Sequence, residues 1–259
     1  MKCKICGGEA VERFSALVLH KHTVRYFLCG TCSFLQTEEP YWLADAYSSP
    51  INTSDTGIVA RSVFFSKIVT SLILLQFNRN GKFLDYGGGY GLFTRLMRDV
   101  GFDYRWSDPF TENLFAKGFE GDEHMEAFEL ISSFETFEHF ADPMKEIRKM
   151  LGSSQNIFFS TETLPVPIPS PSEWYYYAPD HGQHVSFYSS RTFRYIAEQN
   201  KLNYYTNGAD LHLLTKTKMS PARFHLIVKY GKYLYLVLKK QLSTRTASDS
   251  ILLANKPRP

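Results

Sequence analysis

The alternation of apolar and polar positions over residues 82–108 predicts a strand, a turn, a helix and a second strand in succession. Phe83 and Leu84 form the first short strand, and apolar positions from 92 to 100 then recur at helical spacing. Gly101 follows as a helix stop, and a second strand over residues 104–107 ends at Asp108. A glycine-rich turn lets the backbone approach a ligand, and an acid about 20 residues later is placed to bind a ribose. The unit therefore predicts an adenosine-type cofactor site.

The same patterns continue along the chain as alternating helices and strands. Further helices are predicted over residues 56–80, 111–118, 144–151, 190–199 and 222–241. Further strands are predicted over residues 116–119, 128–134, 155–161, 202–214 and 248–255. Strands that alternate with helices favour a parallel sheet with helices on both faces. The predicted fold class is therefore α/β, with a Rossmann-like, seven-stranded and mostly parallel sheet.

The composition of the chain indicates a globular protein with a small net charge. Its 259 residues are enough for one α/β domain and a small appendage, and 44% are apolar while 21% are charged. The net charge of +3 is too small by itself to imply nucleic acid as a partner. No apolar run follows Met1, and Lys or Arg interrupts the longest apolar stretches before a bilayer span is reached. We therefore expect a cytoplasmic protein.

All four cysteines lie near the start of the chain in two Cys-x-x-Cys pairs, Cys3 with Cys6 and Cys29 with Cys32. Two such pairs with a spacer of this length are typical of a tetrahedral zinc site. Two disulfides or four unrelated thiols are the alternatives, and the first would need an oxidising compartment. Four sulfur ligands would leave no open position on the metal, so the predicted zinc is structural. The residues between the pairs predict a hairpin.

The spacing of the glycines along the chain distinguishes between possible cofactors. A dinucleotide fingerprint would need a third glycine at position 92, which is Leu92. The observed order, Asp85-x-Gly87-x-Gly89-x-Gly91, resembles the first motif of class I S-adenosylmethionine (SAM) methyltransferases. The resemblance implies that Asp85 and the glycine backbone face the methionine end of SAM, and that Asp108 faces the ribose hydroxyls. A glycine-rich turn that binds nothing is the alternative.

Other parts of the chain match the same family. Residues 133–139 resemble its fourth-strand motif, in which a Glu-His pair, here Glu138 and His139, opens a loop beside the methyl donor; bracing of the loop is an equal alternative. Asp122 could reach the adenine, although acids in loops are usually just solvated. The resemblance implies a cofactor-binding set that consists of Asp85, Tyr86, Gly87, Gly89, Gly91, Asp108, Pro109, Asp122, Phe134 and Glu135.

Residues 163–183 form a long loop rich in proline and aromatic residues, which predicts a functional lid or binding loop. Tyr175, Tyr176 and Tyr177 either line an acceptor pocket or pack the lid.

The loop and the His-Val-x-x-Tyr-Ser that follows it resemble the sugar C-methyltransferase branch of the type 11/23 methyltransferases, which also begins with a Cys₄ zinc module. The resemblance implies that His184 is the general base, with His181, Glu135 and His139 as reserves. The branch has Tyr-Glu-His where this chain has Gly182-Gln183-His184, and we expect this protein to lack the substrate-binding domain that the branch carries after its last strand.

These resemblances imply a zinc-binding module over residues 1–40, a linker and helix over residues 41–80, and a SAM-dependent methyltransferase domain over residues 81–259. The expected acceptor is a small molecule or carbohydrate, such as a sugar nucleotide or a surface-glycan precursor. The alternatives are an rRNA or tRNA methyltransferase and a non-catalytic SAM-binding partner protein. Because Lys and Arg are dispersed, no stable nucleic acid partner is expected.

The apolar helix predicted over residues 222–241 has several lysines and ends in a basic tail. It could lie on an anionic membrane, cover the substrate cleft or pack in a homodimer, with packing against its own domain as the default. The oligomeric state is left open.

Overall fold

A computed structural model describes residues 1–47, 55–122 and 127–255. These residues contain ten strands: β1 Ala10–Val18, β2 His22–Cys29, β3 Leu35–Thr37, β4 Lys82–Tyr86, β5 Asp103–Ser107, β6 Leu130–Phe134, β7 Asn156–Ser160, β8 Ser186–Phe187, β9 Asn203–Thr206 and β10 Leu211–Thr215. They also contain seven α-helices: α1 Leu43–Ala46, α2 Ile58–Gln76, α3 Leu92–Val100, α4 Pro143–Ser153, α5 Ser190–Gln199, α6 Pro221–Leu238 and α7 Thr246–Ala254.

The strands form two sheets. The larger has the order β5-β4-β6-β7-β10-β9, in which β4 pairs parallel with β5 and β6 while β9 and β10 pair antiparallel. The smaller has the order β1-β2-β3-β8 with antiparallel pairing, and its first two strands are the hairpin expected between the cysteine pairs. The α/β class with a mostly parallel sheet is confirmed. The prediction of seven strands is wrong, since this sheet has six among the described residues.

Two predicted strands are missing, and the one predicted over residues 202–214 is observed as two strands, β9 and β10. Residues 116–119 form turns, and no helix runs over residues 111–118. Residues 248–255, predicted as the last strand, belong to α7. Asp249 on α7 is buried against the Arg98 guanidinium with two nitrogen–oxygen distances of 2.7 and 2.8 Å, whereas Ile251 and Leu252 are exposed. The apolar residues that suggested a buried strand are therefore the ones that face solvent.

The chain divides into two compact units, which we call the first and second units. The first consists of Met1–Ser54, Phe134–Leu151 and Phe158–Lys218, and the second consists of Asp55–Ser133, Gly152–Ile157 and Met219–Pro259. The domain boundaries predicted from the sequence remain a prediction.

The core of the first unit joins the small sheet to the proline-rich loop. Tyr26 of β2 and Phe187 of β8 pack with Trp174, Tyr176 and Tyr177 of the loop. Tyr176 and Tyr177 are thus packing residues, in agreement with the second of the two alternatives. Tyr175 is 76% exposed, and its hydroxyl bonds to Glu162.

In the second unit, α2 packs against α3 and α6. Gly231 of α6 allows close approach, since a Cβ there would lie 3.2 Å from Cα of Ile68, and the Ser71 hydroxyl donates to its carbonyl oxygen at 2.8 Å.

Among the described helices, α2 alone is long and apolar enough to cross a membrane by length and composition, with a mean hydropathy of 1.9. By that measure, the expectation that every apolar stretch is too short does not hold for α2. Eight of its residues are nevertheless buried in the protein.

Candidate functional site

The glycine turn between β4 and α3 is built from backbone conformations that favour glycine. Gly87, Gly89 and Gly91 have φ angles of +70°, +52° and +84°, in the left-handed region. A Cβ at Gly91 would lie 2.6 Å from the side-chain oxygen of Asn113, whereas a Cβ at Gly89 would meet nothing within 4 Å. The turn therefore leaves open space beside Gly89, as a ligand-binding turn requires.

Asp108, at the end of β5, is bonded directly to this turn. The backbone N–H of Gly89 donates to Oδ2 of Asp108 at 2.9 Å, and the N–H groups of Phe110 and Thr111 donate to Oδ1 at 2.8 and 2.9 Å. The indole nitrogen of Trp106 donates to the carbonyl oxygen of Gly89 at 2.8 Å. The acid and glycines predicted to bind one cofactor are thus brought together in a single hydrogen-bonded arrangement.

Asp85 is buried at the end of β4, where Thr94 Oγ1 donates to its Oδ2 at 2.9 Å. Burial and, to a smaller extent, the charge of Asp108 raise the pKa of Asp85 to about 7. A Cβ at Gly88 would lie 2.7 Å from the same carboxylate oxygen. Asp85 therefore supports the turn from within the protein.

The raised pKa of Asp85 predicts a pH-dependent stability. The pKa of Asp85 in the folded state lies above that of an unfolded aspartate. The stability that protonated Asp85 contributes is therefore fully present below about pH 4 and is lost as the pH rises towards 7. Asp85→Asn keeps an acceptor for Thr94 but cannot ionise. As the pH is raised from 5 to 8, we expect the free energy of unfolding of Asp85→Asn to increase relative to that of wild type by on the order of 1–3 kcal/mol. Urea unfolding at both pH values measures this, and the same difference at both would contradict it.

The remaining predicted cofactor residues occupy varied positions. Tyr86 is buried, and its carbonyl oxygen accepts from the Ser133 hydroxyl at 3.0 Å. Pro109 and Asp122 are exposed, and Phe134 is half-buried at the end of β6. The fit to an adenosyl cofactor thus depends on the glycine turn and Asp108 rather than on these residues.

The four cysteines converge in the first unit. Sγ of Cys3 lies 3.5 Å from Sγ of Cys32, Sγ of Cys6 lies 3.4 Å from Sγ of Cys29, and all four sulfurs lie within 4.8 Å of one another. All four are free thiols. Tetrahedral zinc–sulfur bonds of about 2.3 Å would separate the sulfurs by about 3.8 Å. The donor set therefore fits a zinc ion.

Three histidines of the first unit also lie against one another. The ring of His184 is 4.9 Å from that of His139 and 5.1 Å from that of His181, measured between centroids. Nδ1 of His184 is 2.7 Å from the carbonyl oxygen of Tyr176, which can only accept, so Nδ1 donates and Nε2 holds the lone pair. Burial lowers the pKa of His184 well below its ordinary value, and the charge of His139 lowers it further. The ring is therefore neutral near pH 7.

The other two histidines have different surroundings. Nδ1 of His139 lies 3.2 Å from the hydroxyl of Tyr47, and burial lowers the pKa of His139 to about 4. Burial also lowers the pKa of His181, while the charge of Asp180 opposes that shift. Nδ1 of His184 donates to a backbone carbonyl group, whereas Nδ1 of His181 accepts from the Gln183 N–H at 3.4 Å.

Glu135 and Glu138 occupy the loop after β6. Glu135 has a φ of +52°, which is uncommon outside glycine, and its N–H and carboxylate both bond to the Ser160 hydroxyl. Glu138 is fully buried, and its Oε1 lies 3.9 Å from Nε2 of His139. Burial and, to a smaller extent, the charge of Glu135 raise the pKa of Glu138 to about 8. Glu138 is therefore largely protonated at neutral pH.

A family model described as a methyltransferase domain matches residues 61–207, which is more than half of the chain. The chain belongs to the methyltransferase-domain family. The match covers the glycine turn, Asp108, the Glu138–His139 pair and all three histidines of the cluster, whereas the cysteines lie outside it. No curated protein matches the chain.

Several solved structures are similar to this member of the family. The plantazolicin methyltransferase BpumL in complex with SAH is 15% identical, covers 77% of this chain and 85% of its own, and has a TM-score of 0.49. An O-methyltransferase family protein from Burkholderia thailandensis is 12% identical, with coverages of 64% and 59% and a TM-score of 0.48. Human N-acetylserotonin methyltransferase in complex with SAM is 14% identical, with coverages of 68% and 66% and a TM-score of 0.40.

Several contacts in this methyltransferase were not anticipated from its sequence. Thr94, Trp106, Ser160 and Tyr176 hold site residues in place through hydrogen bonds. Thr94 is one of several polar residues of α3, and its burial against Asp85 is visible only in the structure. The others depend on pairings between distant segments, which neither spacing nor periodicity encodes.

Proposed function

We propose that this methyltransferase uses SAM as methyl donor and transfers the methyl group to a small-molecule or carbohydrate acceptor. The observation that carries the proposal is the bond between the Gly89 N–H and the Asp108 carboxylate at a turn with open space beside it. It occurs within the matched methyltransferase domain, at the position where the family resemblance assigns SAM.

In this proposal Asp108 binds the ribose of the cofactor, and the backbone of Gly87, Gly89 and Gly91 passes close to its methionine end. SAM supplies a methyl group on a good leaving group, so the protein has mainly to orient the acceptor and take up a proton. Asp85 supports the turn through Thr94, and Tyr86, Pro109, Asp122, Phe134 and Glu135 complete the proposed set.

For the proton acceptor we propose His184. The bond from its Nδ1 to Tyr176 leaves Nε2 as the basic atom, and burial keeps the ring neutral. Glu135 is a weaker candidate because its carboxylate already accepts a hydrogen bond from the Ser160 hydroxyl. The ring of His139 contacts the Tyr47 hydroxyl and bonds to the backbone of Gln183, and Nδ1 of His181 accepts from the Gln183 N–H, so both rings are weaker candidates.

Removal of the proposed base should slow transfer without weakening donor binding. We expect His184→Ala to lower the rate of methyl transfer about 100-fold, since a positioned general base contributes that much or more. His225→Ala, at an exposed position of α6, is the matched control and should keep the wild-type rate. S-adenosylhomocysteine formation gives the rate, and calorimetry gives the donor affinity. Full activity of His184→Ala would show that the base is another residue.

We further propose that the cysteine cluster binds a structural zinc ion. With four thiolates as ligands the metal has no open position, so its role would be to fix the ends of the β1–β2 hairpin and the turn after it.

The acceptor class is tested most simply with a panel of compounds. Purified protein and methyl-labelled SAM are incubated with sugar nucleotides, lipid-linked glycan precursors, phenolic small molecules and total RNA. The proposal predicts label in the carbohydrate or small-molecule fractions. Label in RNA alone would favour an RNA methyltransferase, and donor binding without transfer to any class would favour a non-catalytic partner protein.

A further inference from the structure

Helix α6 has two apolar stripes, of which the protein covers one. Phe224, Ile227, Val228 and Gly231 form the inner stripe and are buried in the second unit, where α6 packs against α2. Leu226, Tyr230, Tyr233 and Val237 recur at intervals of four, three and four residues on the opposite side. We call these four residues the outer stripe.

The outer stripe is open to solvent. Its residues Leu226, Tyr233 and Val237 are 54%, 59% and 68% exposed, and Leu234 and Leu236 beside it are exposed as well. Single exposed apolar residues are ordinary, but a continuous row along three turns of one helix is a feature of interaction surfaces.

Lysines follow the stripe, and no acid lies near it in the sequence. Lys229 and Lys232 lie within α6, and Lys239 and Lys240 follow its end. The Lys229, Lys232 and Lys239 ammonium groups lie 5.4, 4.9 and 4.9 Å from the ring centres of neighbouring tyrosines. Residues 211–248 contain eight Lys and Arg residues and no Asp or Glu, although the whole chain has a net charge of only +3. The helix therefore combines an apolar face with a strongly positive edge.

We propose that the outer stripe of α6 docks this protein on the surface of an anionic lipid bilayer. An amphipathic helix with apolar and aromatic residues on one face and lysines beside it is the type of helix that lies in the headgroup region. Tyrosine is enriched at that depth, and each lysine near an anionic surface contributes attraction. The proposal is independent of the methyl acceptor and of the residues assigned to the cofactor.

A second copy of the chain is a less suitable occupant of this face. In a two-fold dimer the same surface meets itself, so the lysine rows of two α6 helices would approach each other. The absence of Asp and Glu from residues 211–248 means that this stretch offers no acid to pair with those lysines. Repulsion between like charges would therefore oppose the dimer, whereas anionic lipids neutralise them.

Vesicle sedimentation of the full-length protein tests the proposal. We expect binding to phosphatidylcholine vesicles that contain about a third phosphatidylglycerol, little binding to pure phosphatidylcholine, and weaker binding at 0.5 M salt because of screening. Lys232→Glu should weaken binding at least fivefold, and Tyr233→Ser with Val237→Ser about tenfold. Lys145→Glu on α4 and Val11→Ser on β1, at exposed positions, are the matched controls and should bind like wild type.

Each contrary outcome identifies what is wrong with the proposal. Wild-type protein that stays in the supernatant with anionic vesicles overturns it, and so does equal loss of binding in the control variants. Sedimentation equilibrium of the same proteins addresses the competing occupant. A wild-type dimer that Tyr233→Ser with Val237→Ser converts to a monomer, without vesicle binding by either protein, would assign the face to a second copy of the chain.

Discussion

Zinc is expected to copurify with the protein at one atom per chain, and Cys29→Ser is expected to abolish it. Structural zinc contributes roughly 10–16 kcal/mol of apparent binding free energy in small zinc domains, and much of that is folding free energy. The turn that carries Cys29 and Cys32 is also tied into the first unit, because the carbonyl oxygen of Cys32 accepts from the Thr192 hydroxyl of α5 at 2.9 Å. We therefore expect the thermal midpoint to fall by roughly 10 °C or more. Elemental analysis and thermal unfolding measure the two effects.

The control for this prediction lies in the same turn. Thr31, between Cys29 and Cys32, is exposed, so Thr31→Ala should keep both the zinc and the thermal midpoint. Since the chain has no cysteine outside the cluster, thiol titration with and without a chelator reports directly on the four ligands. Four reactive thiols and no zinc in freshly purified wild-type protein would contradict the zinc proposal.

Gly89→Val is expected to remove SAM binding, with a loss of affinity of at least about 100-fold. Gly89 has a φ of +52°, a conformation that a β-branched residue rarely adopts, and the valine side chain would enter the open space beside the turn. The strain would also lower the free energy of unfolding by about 1–3 kcal/mol. Isothermal titration calorimetry with SAM measures the affinity.

Gly208 provides a matched control for strain alone. It has a φ of +88° in the turn between β9 and β10, and a Cβ there also meets nothing within 4 Å. Gly208→Val should therefore lose similar stability while SAM binding stays unchanged. Equal loss of binding in both variants would attribute the effect to destabilisation, and full binding by Gly89→Val would exclude the turn as the cofactor site.

The strand, turn, helix and strand over residues 82–108 were predicted well because local rules determine them. The boundaries of β4, α3 and β5 follow from periodicity, and the glycines from conformations that other residues avoid. The start of α4 also obeys local rules, since Pro143 is its first residue and the Lys145 N–H donates to the Asp142 side chain at 3.1 Å. Each of these features depends on residues close together in the chain.

The errors arose where distant residues decide the structure. Residues 248–255 were predicted as a strand because Ile251, Leu252 and Leu253 form an apolar run, which cannot distinguish a short strand from a helix. The partner that fixes α7 is Arg98, more than 140 residues earlier, which buries Asp249 by two charge-assisted bonds. A buried arginine leaves no periodic signal in the segment that contains its partner.

In the candidate site, too, some features follow from nearby residues and others depend on distant ones. The motif identified His184 by type, but its tautomer depends on the carbonyl group of Tyr176, which comes from the fold of the proline-rich loop. The same loop was predicted to be a functional lid or binding loop, and in the structure it buries Tyr176 and Tyr177 against the small sheet. Its tyrosines had no sequence signal that separates packing from acceptor binding.

The glycine turn and Asp108 are expected to bind an adenosyl cofactor. A crystal structure of the wild-type protein grown with S-adenosylhomocysteine tests this most directly. Density is expected for the nucleoside at the Asp108 carboxylate and for the amino-acid portion beside the turn at Gly89. Well-ordered crystals with no ligand at the turn under saturating S-adenosylhomocysteine, or with the ligand bound elsewhere, would contradict it.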